Sequence, residues 1–328
     1  MSKKMRKVVL SYAVVLLLLV GMFLVSAQMG SLKLTLHQLF RGLFVQYDPN
    51  VATVYDLRLP RILIAMLAGA AVAVSGVLLQ AVLKNPLADP GIIGVSSGAG
   101  LMAVCVSVFL PSCYFLTPLF ACAGGMAAFL LVYVFSWKGG LSPLRIILTG
   151  VAMDAFFSSA AKAINALTGG ERQGVASVVE GNITQKTWED VRLLIPYVAV
   201  GLILAFLSRK SCNLLQLEDK TARGLGINVN RSRICISFIA VILASISTAV
   251  AGSISFLGLI VPHMGRLLVG SDHKKLIPFS AILGAFIFLA ADTVGRTIAM
   301  PYEVKASIIM SIFGGPFFII LLRKSKKN

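Results

Sequence analysis

Charged side chains inside long apolar runs are the first residues of this sequence with a capacity for chemistry. Asp154 and Lys162 fall in the stretch 146–167, His263 follows Val261-Pro262, and Asp292 precedes Arg296 by four residues. Ionisable groups in such runs are costly to desolvate, and they serve as ion pairs, proton relays or the lining of a watery path. Asp292 and Arg296 share one helix face and can pair locally. Asp154 and Lys162 are about 12 Å apart along a helix axis at 1.5 Å per residue, so they cannot pair directly and are candidates for lining a cavity. His263 has no second His near it, which favours packing over metal ligation. The five Cys form no CxxC pair, so neither a zinc site nor a disulfide framework is indicated. No Gly-Lys dipeptide occurs; without a GxxxxGK[ST] phosphate loop, any ATP that drives this protein is bound by another chain. No Ser/His/Asp or paired-carboxylate constellation marks an enzyme, and no metal or cofactor is expected on the chain.

The elements that carry these residues are set by an unusual composition. Of 328 residues, 57% are hydrophobic and 13% charged, with a mean hydropathy of +0.88. A soluble domain is about 25% charged, so the apolar surface of this chain faces a bilayer. About 20 apolar residues span roughly 30 Å of hydrocarbon as a helix. Uncharged stretches at 8–32 and 62–83 each allow one crossing. The run 90–137 allows two, broken at Pro111-Ser112-Cys113. The segments 146–167 and 193–208 supply two more. The run 234–265 is too long for one helix and splits at Ala251-Gly252-Ser253, its second part reaching about Gly270, and 276–295 and 305–322 complete ten expected spans. The run from Val8 to Ala27 is longer than the apolar core of a cleaved signal peptide. One membrane domain over 1–328 is expected, with no linker.

An even count puts both termini on one side. With the N-terminus inside, 19 basic residues fall in cytoplasmic segments and nine outside, as the positive-inside rule requires. The net charge of +17 is then a matter of topology, and nucleic-acid binding is not expected. Ala65, Gly69 and Ala73 recur at the spacing that lets helix backbones approach in lipid. Asn85 to Gly91 and Gly314-Gly315-Pro316 are expected to interrupt helices, and irregular backbone at membrane depth is buried in protein or lines a watery cavity. The long cytoplasmic segment 209–233 mixes apolar and charged residues at helical spacing, with Gly224 and Gly226 as stops. Short amphipathic helices outside the membrane, offered to a protein partner, are expected there.

Motifs throughout the chain carry a family resemblance. Asp56-Leu57-Arg58-Leu59-Pro60-Arg61, Gly69-Ala70, Ser75-Gly76, Gln80, Asn85-Pro86-Leu87-Ala88, Pro90-Gly91 and Gly94-Val95-Ser96-Ser97-Gly98-Ala99 stand in order, followed by Ala222-Arg223-Gly224-Leu225-Gly226. Phe256-Leu257-Gly258-Leu259-Ile260-Val261-Pro262-His263, Ala291-Asp292 with Arg296, and Gly314-Gly315-Pro316-Phe317 complete the series. Together they resemble the FecCD permeases of ABC importers for haem, ferric siderophores and cobalamin. The pattern departs after Glu303, where Val304-Lys305 stands in place of an apolar residue and Pro. The resemblance implies an all-α, ten-helix type II importer subunit in a bacterial cytoplasmic membrane. It implies a homo- or heterodimer of permeases, two ABC ATPases and an extracytoplasmic binding protein. By the same resemblance, Arg58, Arg61 and Arg296 dock the binding protein, and Asn85, Leu87, Ser142 and Pro143 form a cytoplasmic gate. Leu215, Leu217, Thr221, Ala222, Arg223, Gly224, Leu225 and Gly226 couple to the ATPase. The first motif and Trp188-Glu189-Asp190 lean towards haem as cargo. The reading from another class is a proton-coupled secondary transporter that uses Asp154, Asp292 or His263.

Overall fold

The computed structural model describes residues 3–29, 51–52, 54–136, 143–168, 183–299 and 302–325, and among these the regular structure is helical throughout. The helices are α1 (Lys3–Gln28), α2 (Leu59–Leu83), α3 (Val95–Phe109), α4 (Thr117–Ser136), α5 (Pro143–Leu167) and α6 (Trp188–Leu207), then two short helices, α7 (Arg209–Leu215) and α8 (Asp219–Gly224). The long elements resume with α9 (Val229–Ala251), α10 (Leu257–Val269), α11 (His273–Thr297) and α12 (Ala306–Ser325). Among the described residues seven helices are long and apolar enough to cross a membrane, namely α1, α2, α4, α5, α6, α9 and α11. The other three expected spans coincide with shorter apolar helices, α3, α10 and the Ala306–Ile320 part of α12.

α2 is the central post. It packs on α6, α9, α10 and α11, while α3, α4 and α5 form a second group joined to it through α9. The small-residue spacing read from the sequence explains how α2 holds this place. A Cβ on Gly69 would run into Gly284 O of α11, and one on Gly76 into Gly258 O at the start of α10. Ala65 and Ala73 are fully buried. Close backbone approach of this kind supplies van der Waals contact where lipid supplies no hydrophobic drive.

The breaks fall largely where composition places them. α3 ends before Pro111, and a 3₁₀ turn over Pro111–Leu116 leads to α4. α9 stops at Gly252, whose φ of 74° with ψ of −177° is open to glycine alone. Two expectations are corrected. α6 begins at Trp188 rather than at 193, because Asp190 Oδ2 accepts from Thr187 N (2.9 Å) and Oγ1 (3.2 Å) and closes the first turn despite its charges. Gly314-Gly315-Pro316 does not interrupt α12, which runs through it. A Pro costs its helix one backbone bond and a clash, which neighbouring helices offset in a membrane bundle, and Gly314 lies against Phe256.

Candidate functional site

Polar side chains gather at the two ends of this apolar bundle. At one end Asp292, fully buried on α11, stands between two arginines. Arg61, from the first turn of α2, reaches it with Nη2 (2.8 Å) and Nε (3.0 Å) and places Nη1 2.8 Å from Glu303. Arg296 Nε lies 3.3 Å from Asp292 Oδ2, and its Nη2 donates to Ser26 O and Oγ at the end of α1. Glu303 also accepts from Thr184 Oγ1. Burial pushes the Glu303 carboxyl up, but the hydrogen bond and charge of Arg61 outweigh it and hold it below the usual carboxylate range. Arg58 is the accessible member of the group. It is half-buried, with Nη1 on Ala27 O at 3.2 Å. Three residues before it, Tyr55 meets Trp188 with ring centroids 4.9 Å apart, and the indole donates to Tyr55 O. The Asp292–Arg296 pair read from the sequence is present, but Arg61 is the stronger partner of the two. Its number alone could not reveal that, since 231 residues separate it from Asp292.

At the other end the short helices of 209–233 are fastened to the bundle. Asp219, first residue of α8, accepts from Lys84 at the end of α2 (2.8 Å) and from Arg233 of α9 (2.9 Å). The Lys84 hydrogen bond, followed by the charge of Arg233, outweighs burial and holds the Asp219 carboxyl below its ordinary value. Asn213 of α7 donates to Asp272, which caps α11, and accepts from His273 N. Leu215 and Ala222 are buried and anchor the segment, while Leu217, Thr221, Arg223, Gly224, Leu225 and Gly226 remain exposed. α8 is therefore a tethered element with one free face, and Leu225, 59% exposed, stands at its end.

Between the ends, the segment after α2 is irregular, as expected. Asn85 Oδ1 accepts from Leu87 N (3.0 Å), and buried Asp89 Oδ1 accepts from Gly91 N and Ile92 N. Asn85 is buried and Leu87 half-buried. Ser142 and the Pro143 side chain, the other two expected gate groups, lie outside the described residues. Lys162 does line a cavity, of about 150 Å³, with Ser96, Ser97, Ser158, Thr248 and Ser253. Asp154 is not among the residues that line it. His263 is half-buried and meets Phe317 edge-on, the packing role its isolation suggests. Asp292 is fully buried between Arg61 and Arg296, an arrangement that makes it a structural counter-charge. Among the described residues no cluster of His, Cys, Asp or Glu could hold a metal.

The FecCD transport family model matches residues 16–324. The chain belongs to that family. The FecCD match makes it a transport permease subunit, and not an enzyme. It is 40% identical over 319 residues to the probable heme-iron transport system permease protein IsdF of Staphylococcus aureus strain RF122, covering 97% of each chain, and equally to that of strain Newman. Among solved structures, an inward-facing metal-chelate type ABC transporter superposes with a TM-score of 0.79 at 30% identity, over 95% of this chain and 98% of the other. PsaBC from Streptococcus pneumoniae shares the fold alone, at a TM-score of 0.58 and 17% identity over 87% of this chain and 95% of that one. The apolar helices and the family together place this FecCD permease in the cytoplasmic membrane.

Proposed function

We propose that this permease is one of two membrane subunits of an ATP-driven importer of iron chelates, with haem as the cargo. The observation that carries the reading is the arrangement of polar groups at the two ends of one apolar bundle. The Arg58, Arg61, Arg296 group gathers at one end, and the tethered α8 with its free face at the other. Ten helices cross the membrane with both termini inside, the three shorter ones completing their passage within the protein. The basic residues then divide as the positive-inside rule requires. Haem as cargo follows the relatives named as heme-iron permeases.

At the outer end a binding protein docks. Arg58 and the exposed edge of Glu303 are the groups it meets, and Arg61 and Arg296 hold that surface in place from beneath. At the inner end an ATPase takes the free face of α8, Leu217 to Gly226. Through Asp219 its closure pulls on Lys84 and so on the segment that begins at Asn85. Asn85, Leu87, Ser142 and Pro143 form the gate there, where small and apolar groups can close on a bulky cargo without gripping it. Co-expression with a phosphate-loop ATPase encoded beside this chain tests the reading. A stable complex that hydrolyses ATP faster when the binding protein is added supports it; no complex, with uptake that follows a proton gradient, refutes it.

A further inference from the structure

A slot of about 450 Å³ lies at the α8 end of the bundle, between α2, α4 and α9, and the transport reading does not use it. Deeper in the bundle α4 and α9 touch, since a Cβ on Gly125 would run into Ser245 Oγ. Nearer to α8 the slot opens between them. Met126, Phe129, Leu130 and Tyr133 line it from α4, at the i, i+3, i+4, i+7 spacing of one helix face. Ile234 and Phe238 line it from α9, and Val82 and Leu83 from the last turn of α2. Leu130, Ile234 and Phe238 are exposed at its edge, so the slot is open along the side of two membrane spans.

The charged and amide groups of the lining sit together at the α8 end. Asn230, in the first turn of α9, is exposed. Arg233, almost one turn further on, keeps its side chain 28% exposed while Nη2 donates to Asp219 of α8 at 2.9 Å. From Asn230 to Phe238 the α9 side of the slot descends about 12 Å at 1.5 Å per residue. Below Arg233 that side is apolar apart from the buried Ser237. Among the described residues no carboxylate lines the slot. Asp219, the nearest counter-charge of Arg233, is shared with Lys84, and the segment 209–233 carries six basic residues against two acidic ones.

A slot that is apolar within the bilayer and cationic at one end fits an amphiphile that lies along the helices. Apolar cavities do not hold water, and beside a membrane span the molecules that reach such a cavity are acyl chains. Charge then selects the headgroup. Basic groups next to a span attract anionic lipids, whereas a choline headgroup brings a cation of its own to Arg233. We propose that this slot binds an anionic phospholipid, with an acyl chain along α4 and α9 and the phosphate beside Asn230 and Arg233. Because Arg233 also tethers α8 through Asp219, the lipid borders the coupling path on the transport reading above.

Binding itself is tested without the ATPase, so a failure of the coupling reading leaves the result untouched. The full chain in mild detergent is heated with increasing phosphatidylglycerol, with phosphatidylcholine of the same acyl chains, or with inorganic phosphate. A ligand that binds only the folded state raises its melting temperature in a saturable way. The slot predicts half-saturation by phosphatidylglycerol at a concentration at least about tenfold below that for phosphatidylcholine, and no saturable shift with phosphate, which has no chain to fill the slot. Arg233→Gln should raise the half-saturating phosphatidylglycerol concentration at least about tenfold. It also loses the bond to Asp219, so a second variant leaves that tether in place. Asn230 is exposed in the first turn of α9, where a carboxylate suits the helix dipole. Asn230→Glu should therefore keep the starting melting temperature and weaken the phosphatidylglycerol response by the same factor, with the phosphatidylcholine response unchanged. Equal half-saturation by the two lipids, a saturable shift with phosphate alone, or an unchanged phosphatidylglycerol response in Asn230→Glu would overturn the proposal.

Discussion

The buried charges around Asp292 act as a unit, because Asp292 is the shared counter-charge of Arg61 and Arg296. Removing one partner of a buried pair leaves the other uncompensated, at a cost of about 3–5 kcal/mol. Asp292→Ala is therefore expected to lower thermal stability in detergent by that order, and an unchanged unfolding midpoint would show that the arginines find other partners. Arg58 gives the cleaner probe of docking. Arg58→Glu should keep the fold and weaken binding-protein affinity at least about tenfold, some 1.4 kcal/mol, with a charge-reversed binding protein restoring part of it. Arg61→Glu should instead destabilise the permease itself. The sequence carries half of this site. Asp292 and Arg296 at i, i+4 announce their pairing, whereas Arg61 and Glu303 reach the same cluster only because α2 and α11 pack along Gly69 and Gly284, a tertiary fact with no local signal.

Among the elements, α8 concentrates the account, being tied to the bundle on one side and free on the other. Leu225→Glu changes a residue that is 59% exposed, so the fold should survive while ATP-driven uptake falls at least about tenfold; uptake at the wild-type rate would remove α8 from the coupling path. The tether has a defined pH range. The Asp219 carboxyl titrates below its ordinary value, so the stabilisation it brings is present above the unfolded-state value of about 3.9. It is lost only as pH falls through the lower, folded-state value. Hydrogen exchange of residues 219–226 should be protected alike at pH 5 and pH 7 after correction for intrinsic rates, and loss of protection by pH 5 would count against the Lys84–Asp219–Arg233 tether. Helix positions were legible in the apolar runs because desolvation sets them. Helix ends were less so, since Thr187 and Asp190 start α6 among charges that an apolar-run criterion discards, and Pro316 sits inside α12 because packing tolerates it.

For the whole molecule, composition and the spread of basic residues were enough to place the chain in a membrane, and the ordered motifs were enough to place it in its family. Cargo was less legible: the first motif and Trp188-Glu189-Asp190 lean towards haem only by resemblance, and the relatives named as heme-iron permeases lean the same way. The central claim is that this subunit carries its cargo inward at the expense of ATP bound elsewhere. Proteoliposomes that contain the permease with its ATPase, supplied with haem-loaded binding protein outside and ATP inside, test it most directly. The account predicts haem accumulation that requires both ATP and the binding protein and is lost in Leu225→Glu. Haem uptake that proceeds without the ATPase and follows an imposed proton gradient would contradict it.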